Sequence, residues 1–284
     1  MMFFRTGYRS RGPPGRARNV HTGRSRTADS DPVRRDGNER QPLITEQHFL
    51  VGFQDVGSGF RMTDAALLEA MSDTGYDQCA MMGHGVDSGR EDHLAWFVLN
   101  WRLRVIRRPV LREIITVRTW STGASGLRFS RDFEVYDASG SLIAAATSCW
   151  LAMNHRTSAI LRLSEEDLKV YEPDTAHRVF PGYTFSRRLR EDFDFTHETA
   201  VTVNPLMTDM YRHVHNTVYL SLAAMALPEG TDMNRFTDVE VLYKHQIRPD
   251  ETIRLRYAEE DGSHYVLISD CADGTGHALI RMWC

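Results

Sequence analysis

Asp209, His213 and Asn216 stand four and three residues apart in the run Asp209-Met210-Tyr211-Arg212-His213-Val214-His215-Asn216-Thr217-Val218-Tyr219, directly ahead of the apolar stretch 220–227. A carboxylate, an imidazole and an amide suit proton transfer near neutral pH. The imidazole titrates there, the carboxylate sets its charge and orientation, and the amide holds a water. Continued as a helix, Asp209, His213, Asn216, Leu220, Ala223 and Leu227 share one face, and because that face is apolar further on it should bury. Read as extended chain as far as His213, alternation again puts Asp209 and His213 on one side. The plainer role for the same residues is structural, with Asp209 capping the helix and His213 a satisfied core histidine. Spacing alone favours the structural role.

These residues need a helix and a sheet to hold them, and beyond Gln41 such a pattern runs twice. A strand over 48–56 precedes a helix over 63–82. Strands follow over 96–106, 114–120, 127–136 and 142–153, with turn signals at Gly123-Ala124-Ser125-Gly126 and Asp137-Ala138-Ser139-Gly140. In the second copy a strand over 200–206 precedes a helix over 212–227, and strands follow over 239–247, 251–258, 263–271 and 277–283. Arg112-Glu113-Ile114-Ile115-Thr116-Val117-Arg118 parallels Asp250-Glu251-Thr252-Ile253-Arg254-Leu255-Arg256 at an offset of 138, and the last strands close on Trp150 and Trp283. One helix plus a run of antiparallel strands, repeated, is an α+β plan with the sheet curled round the helix. The stretch 164–182, with its charged start and Pro173, reads as the linker.

Composition bounds what this plan can do. A 42% hydrophobic and 25% charged content is that of a soluble globular protein. No window approaches 18 uninterrupted apolar residues, so no membrane span is expected, and the expected location is cytoplasmic. Ten arginines against four carboxylates give residues 1–40 a local charge of +6, which leaves −10 on the rest of a chain whose total is −4. An acidic folded part argues against a nucleic-acid partner. The first 40 residues, rich in Arg, Gly, Ser and Pro, bury too little apolar surface to order themselves. Up to Ala28 they lack acidic residues, as a transit peptide does, but Gly12-Pro13-Pro14-Gly15 and the missing apolar stripe argue against an amphipathic helix. Cys79, Cys149, Cys271 and Cys284 lack C-x-x-C spacing and read as reduced thiols.

The run from Asp209 to Tyr219 resembles the D-x-N-x-H-V-N-N-x-x-Y signature of the plant and bacterial acyl-ACP thioesterases, which carry two hotdog folds in one chain. Asp209, His213, Val214, Asn216 and Tyr219 match, while Tyr211 replaces the signature's asparagine and His215 the first of its paired asparagines. The resemblance spans roughly residues 45–284, through Leu67-Leu68-Glu69-Ala70, Leu94-Ala95-Trp96, Ile114-Ile115-Thr116-Val117-Arg118-Thr119-Trp120, Arg131-Asp132-Phe133-Glu134-Val135 and Ala146-Thr147-Ser148-Cys149-Trp150. It implies a tandem hotdog of two antiparallel sheets, each wrapped round a central helix. The implied parts are a disordered basic extension over 1–44, an N-terminal hotdog over 45–165 that shapes an acyl pocket, and a C-terminal hotdog over 166–284 that carries the catalytic motif. The implied activity is hydrolysis of fatty acyl thioesters on acyl carrier protein, releasing free fatty acid in fatty acid biosynthesis, with no metal or redox cofactor. Its partner is an acyl carrier protein bearing the fatty acyl phosphopantetheine thioester. The expected state is a monomer or a homodimer.

The same resemblance gives His213 and Asp209 the proton handling, and gives Asn216 and Gln246 the positioning of water or thioester, with Tyr211 at a third polar position. The family's acidic residue lies in a stretch like L-E-Y-R-R-E, and here Val241-Leu242-Tyr243-Lys244-His245-Gln246 puts Gln246 in its place. Glutamine can hold a water but cannot act as a base. Two alternatives stay open, an acyl-CoA thioesterase on the same fold and a catalytically degenerate acyl-binding protein. Arg102, Arg104, Arg107, Arg108 and Arg112 form either a docking patch for an acidic carrier or isolated solvated charges. His213 and His215 are two apart, poor spacing for joint metal ligation on a helix. His84, in Met82-Gly83-His84-Gly85, reads as part of a helix-ending turn.

Overall fold

The computed structural model describes residues 43–284, and the expectations for the basic tail fall outside them. The order of elements is β1 (Thr45–Leu50), α1 (Asp64–Met81), β2 (Leu94–Val105), β3 (Ile114–Ser125), β4 (Arg128–Asp137), β5 (Leu142–Asn154), a short α2 (Glu165–Lys169), β6 (His197–Thr202), α3 (Val218–Ala226), β7 (Asp238–Tyr243), β8 (Thr252–Glu260), β9 (Ser263–Asp270) and β10 (Gly276–Trp283). All strand neighbours are antiparallel, in the order β1-β3-β4-β5-β2-β7-β10-β9-β8-β6. Read from its middle outward, this order repeats, with β2, β5, β4, β3, β1 on one side and β7, β10, β9, β8, β6 on the other. The sheets of the two halves join edge to edge through β2 and β7, with Arg102 opposite Glu240 and Leu103 opposite Val239. Pairing removes two exposed edges that would otherwise recruit other chains.

Local chemistry explains the helix ends. Thr63 caps α1 by accepting from Ala66 N at 3.2 Å. Gly83, in the left-handed region at φ 75°, ends it, and His84 N returns to Cys79 O at 2.8 Å. His84 belongs to this turn, as its sequence suggests, and its ring is buried against Tyr171 Oη and Asp167. Leu67, Leu68 and Met71 of α1 and Leu220, Leu222 and Ala223 of α3 are buried under the sheet with Val117, Phe133, Leu255 and Ile268. Each large apolar side chain so buried contributes on the order of 1.5–3 kcal/mol.

The repeat extends to single hydrogen bonds. Val51 N donates to Glu113 O and Val203 N to Glu251 O, both at 2.9 Å. Arg112 and Asp250, 138 apart, both sit at φ 70°. Isolated bridges pair Val56 with Met62 and Thr208 with Val214, each closing a five-residue loop. Gly57 N donates to Arg61 O at 3.0 Å in the first loop, and Asp209 N to His213 O at 2.8 Å in the second. Phe60 and Arg212 hold the same left-handed position, φ 57° and 61°.

Candidate active site

The helix expected over 212–227 begins only at Val218. Residues 209–217 form an irregular loop, because Asp209 Oδ1 accepts from Tyr211 N at 2.8 Å and His213 N at 3.2 Å and so satisfies locally the donors a helix would use. Asp209 thus caps a turn, and its carboxylate makes no hydrogen bond to the His213 ring. The loop is tied down from outside. Val214 N donates to Ile247 O at 2.8 Å and His215 N to Met207 O at 3.0 Å. Val214 and Thr217 are buried, so the intervening polar residues are held on a fixed backbone.

Among the described residues, three polar atoms of this loop lie out of solvent without a hydrogen-bond partner: Tyr211 Oη, His213 Nδ1 and Asn216 Oδ1. Unpaired buried polar groups each cost about 1–3 kcal/mol, so three within six residues make this loop the candidate site. Burial lowers the His213 pKa below 6.5, against the opposing charge of Asp209, and Arg248 lowers it further. Burial, with the Asp209 charge, pushes Tyr211 up to about 12, so its hydroxyl keeps its proton. Gln246 is exposed, one residue before the carbonyl that holds Val214, so its backbone runs beside the loop while its side chain faces solvent.

The first half reaches into the same place. The Tyr211 ring lies 5.6 Å from Phe97 of β2 and 5.4 Å from His155 beyond β5. Thr217 Oγ1 donates to Glu69 of α1 at 3.1 Å and lies 2.9 Å from His215 Nδ1. Sequence reasoning missed His155, Glu69 and Thr217 as neighbours of this site, since they stand far apart in the chain and no local pattern links them. Among aromatics and methionines of the first half, Phe97 borders the loop, whereas Met71 and Trp101 are core. Of the five arginines read as either a docking patch or isolated solvated charges, four have partners within the chain. Arg102 lies over Phe180 and Tyr183, Arg104 pairs with Asp238, Arg107 with Glu113 and Asp137, and Arg108 is buried.

Two helices, each gripped by a curved antiparallel half-sheet, with the halves fused edge to edge and a polar loop leading into the second helix, make this a tandem hotdog protein. Residues 42–171 match the acyl-ACP thioesterase N-terminal domain. An oleoyl-acyl carrier protein thioesterase of Coriandrum sativum is 24% identical over 232 residues, covering 77% of this chain and 59% of that protein. Two solved structures share the fold. An acyl-ACP thioesterase from Bacteroides thetaiotaomicron has a TM-score of 0.73 at 18% identity, covering 84% of this chain and 97% of that one. A 12:0-ACP thioesterase from Umbellularia californica has a TM-score of 0.72 at 20% identity, covering 84% and 96%. Over residues 42–171 the chain matches the acyl-ACP thioesterase family, and across most of its length it is similar to members of that family. It spans about three-fifths of the length of the curated relatives it matches.

Proposed function

We propose that this protein hydrolyses fatty acyl thioesters carried on acyl carrier protein, releasing the free fatty acid and the carrier's thiol. The observation that carries the reading is the trio of unpartnered buried atoms, Tyr211 Oη, His213 Nδ1 and Asn216 Oδ1, on one rigid loop. A water attacks the thioester carbonyl, forming a C–O bond as the C–S bond breaks. His213 takes the water's proton and returns it to the departing thiolate. The Tyr211 hydroxyl donates to the carbonyl oxygen as charge builds there, and the Asn216 amide holds the water. Asp209 fixes the loop through its backbone hydrogen bonds, and its charge offsets part of the burial that weakens His213 as a base. Gln246 hydrogen-bonds water or substrate without acting as a base. The first half, through Phe97, shapes the acyl side.

Among the described residues no helix is long and apolar enough to cross a membrane, and all four cysteines are free. Free thiols suit a reducing, cytoplasmic setting. Both halves lie in one chain, which lets a monomer assemble the site.

Single-turnover hydrolysis of matched acyl-ACP and acyl-CoA panels tests the reading, with faster release expected from acyl-ACP. Preference for acyl-CoA moves the activity to the other carrier. A second reading, an acyl-binding protein without turnover, rests on Tyr211 and Gln246 at positions where the family's signature has asparagine and glutamate. The double replacement Tyr211→Asn/Gln246→Glu separates the two. A weakened enzyme gains rate, whereas binding without turnover in both proteins leaves the binding module.

A further inference from the structure

Away from the polar loop, three side chains converge with room between them. One ligand-type atom each of Glu251, Asp270 and His277 lies within 4.8 Å of the others, yet no hydrogen bond or salt bridge joins them. His277 is only 5% exposed, and its Nε2 has no partner among the described residues. Its placement follows from a β-bulge. Gly276 pairs with Ser269 and Ala278 with Ile268, so His277 is the extra residue, the kind of irregularity that re-aims a side chain.

Each of the three is already held on its far side. Glu251 Oε2 accepts from Arg248 N at 3.0 Å. Asp270 Oδ1 accepts from Ala272 N at 2.6 Å and Asp273 N at 3.1 Å. His277 Nδ1 faces the His245 carbonyl at 3.4 Å, which fixes the tautomer with the lone pair on Nε2. One oxygen of each carboxylate and the imidazole Nε2 therefore stay free. Outer hydrogen bonds of this kind orient the ligands of a metal site.

The first half shows what such a carboxylate pair requires. By the repeat, Glu113 corresponds to Glu251, Asp137 to Asp270, Ile143 to His277 and Arg107 to His245. The correspondence is exact at the backbone: Ile106 N and Arg107 N both donate to Ile143 O, just as Lys244 N and His245 N both donate to His277 O. Glu113 Oε2 accepts from Val110 N at 2.9 Å and Asp137 Oδ1 from Ser139 N at 2.9 Å, repeating the contacts of Glu251 and Asp270. There the free oxygens share a cation, since Arg107 Nη2 lies 2.6 Å from Glu113 Oε1 and 3.0 Å from Asp137 Oδ2. In the second half the arginine has become His245, and no Lys, Arg or His forms a salt bridge with Glu251 or Asp270 among the described residues.

We propose that a divalent first-row metal ion occupies the space between Glu251, Asp270 and His277, where the first half places the Arg107 guanidinium. Two carboxylates and one imidazole suit zinc or manganese better than calcium or magnesium, which favour oxygen alone. Ligand distances of about 2.1 Å require the three atoms to stand roughly 3–4 Å apart, so the side chains close slightly on the ion. The ion ties the start of β8 to the end of β9 and the start of β10. Because Glu251 lies just beyond the turn that carries Ile247, the site braces the segment on which Val214 hangs.

The test is titration of chelator-stripped full-length protein with Zn²⁺ and with Mn²⁺ by calorimetry, alongside thermal unfolding. Wild type is expected to bind one equivalent of at least one ion and to melt at a higher temperature when loaded. Asp270→Asn should weaken binding at least about tenfold and His277→Ala by about a hundredfold. The double variant His245→Arg/His277→Ile installs the first half's residues. It should fold, bind no metal at this stoichiometry, and melt at the same temperature with or without chelator. Stripped wild type that takes up neither ion overturns the proposal, as does a folded double variant that binds as wild type does.

Discussion

The loop over residues 57–61 and the loop over residues 209–213 have the same bridge, the same backbone hydrogen bond and the same left-handed fourth residue, yet they serve different ends. Met62 N donates to Pro109 O as Val214 N donates to Ile247 O, both at 2.8 Å, so Arg108 corresponds to Gln246 and Asp64 to Asn216. In the first half the Arg108 side chain fills the space beside its loop. It donates to Asp64 Oδ1 at 2.7 Å and to the carbonyls of Asn234 and Phe236 at 2.8 Å each. In the second half Gln246 turns outward, and Asn216 and His213 keep buried atoms unpaired. One copy of the scaffold is closed by a hydrogen-bonded ion pair that leaves only Asp64 Oδ2 unpaired. The other leaves Tyr211 Oη, His213 Nδ1 and Asn216 Oδ1 without partners, which is what the proposed function uses.

Breaking the closed copy should have the largest effect. Arg108→Ala leaves Asp64 buried and unpaired, and about 3–5 kcal/mol of unfolding free energy should be lost in chemical denaturation. A loss below about 1 kcal/mol would show that the pair is not what closes the first half. Installing the second half's residues together, Arg108→Gln with Asp64→Asn, should cost less than Arg108→Ala because no lone charge remains buried.

The open copy should respond in rate before it responds in stability. His213→Ala should lower kcat on acyl-ACP by about a hundredfold, equivalent to about 2.7 kcal/mol on the barrier. An unchanged kcat in a folded variant would make His213 a packing residue. Next comes Asp209→Ala, which removes an acceptor from two backbone N–H groups and should cost about 1–3 kcal/mol of stability. Asp209→Asn keeps an oxygen for those bonds but loses the charge, so it should hold the fold and still impair turnover. Gly57 occupies the equivalent position with no side chain, which shows that the backbone can close the loop without a carboxylate.

The smallest effect is a displacement of the pH profile. Because burial disfavours the imidazolium, His213 stays neutral below pH 6.5, so the acid limb of kcat/KM should fall at a pH under 6.5. The same sign makes the folded state lose stability as pH drops from 6.5 through the folded pKa, where the unfolded chain binds the extra proton. An acid limb above 6.5 would mean that a different group carries the proton.

The sequence by itself determined the α+β plan, the repeat and most element positions, since alternation, caps and turn residues are local and each acts within a few residues. Thr63, Gly83 and the Asp–Gly turns stand where their chemistry requires, and the strands from 96 to 153 and from 251 to 283 fall within a few residues of their expected places. The Asp209-to-Tyr219 run also stood out as the candidate site. Tertiary structure decided what that run does locally. Periodicity extended the helix back to 212, but the Asp209 carboxylate and the bridge between Thr208 and Val214 take up the backbone groups first, and α3 starts six residues later. It also decided that the half-sheets join through β2 and β7, that Arg108 turns inward while Gln246 turns out, and that Glu251, Asp270 and His277 meet. Those outcomes depend on which strands become neighbours and on one bulge at His277, and no window of a linear sequence contains a contact made across three strands.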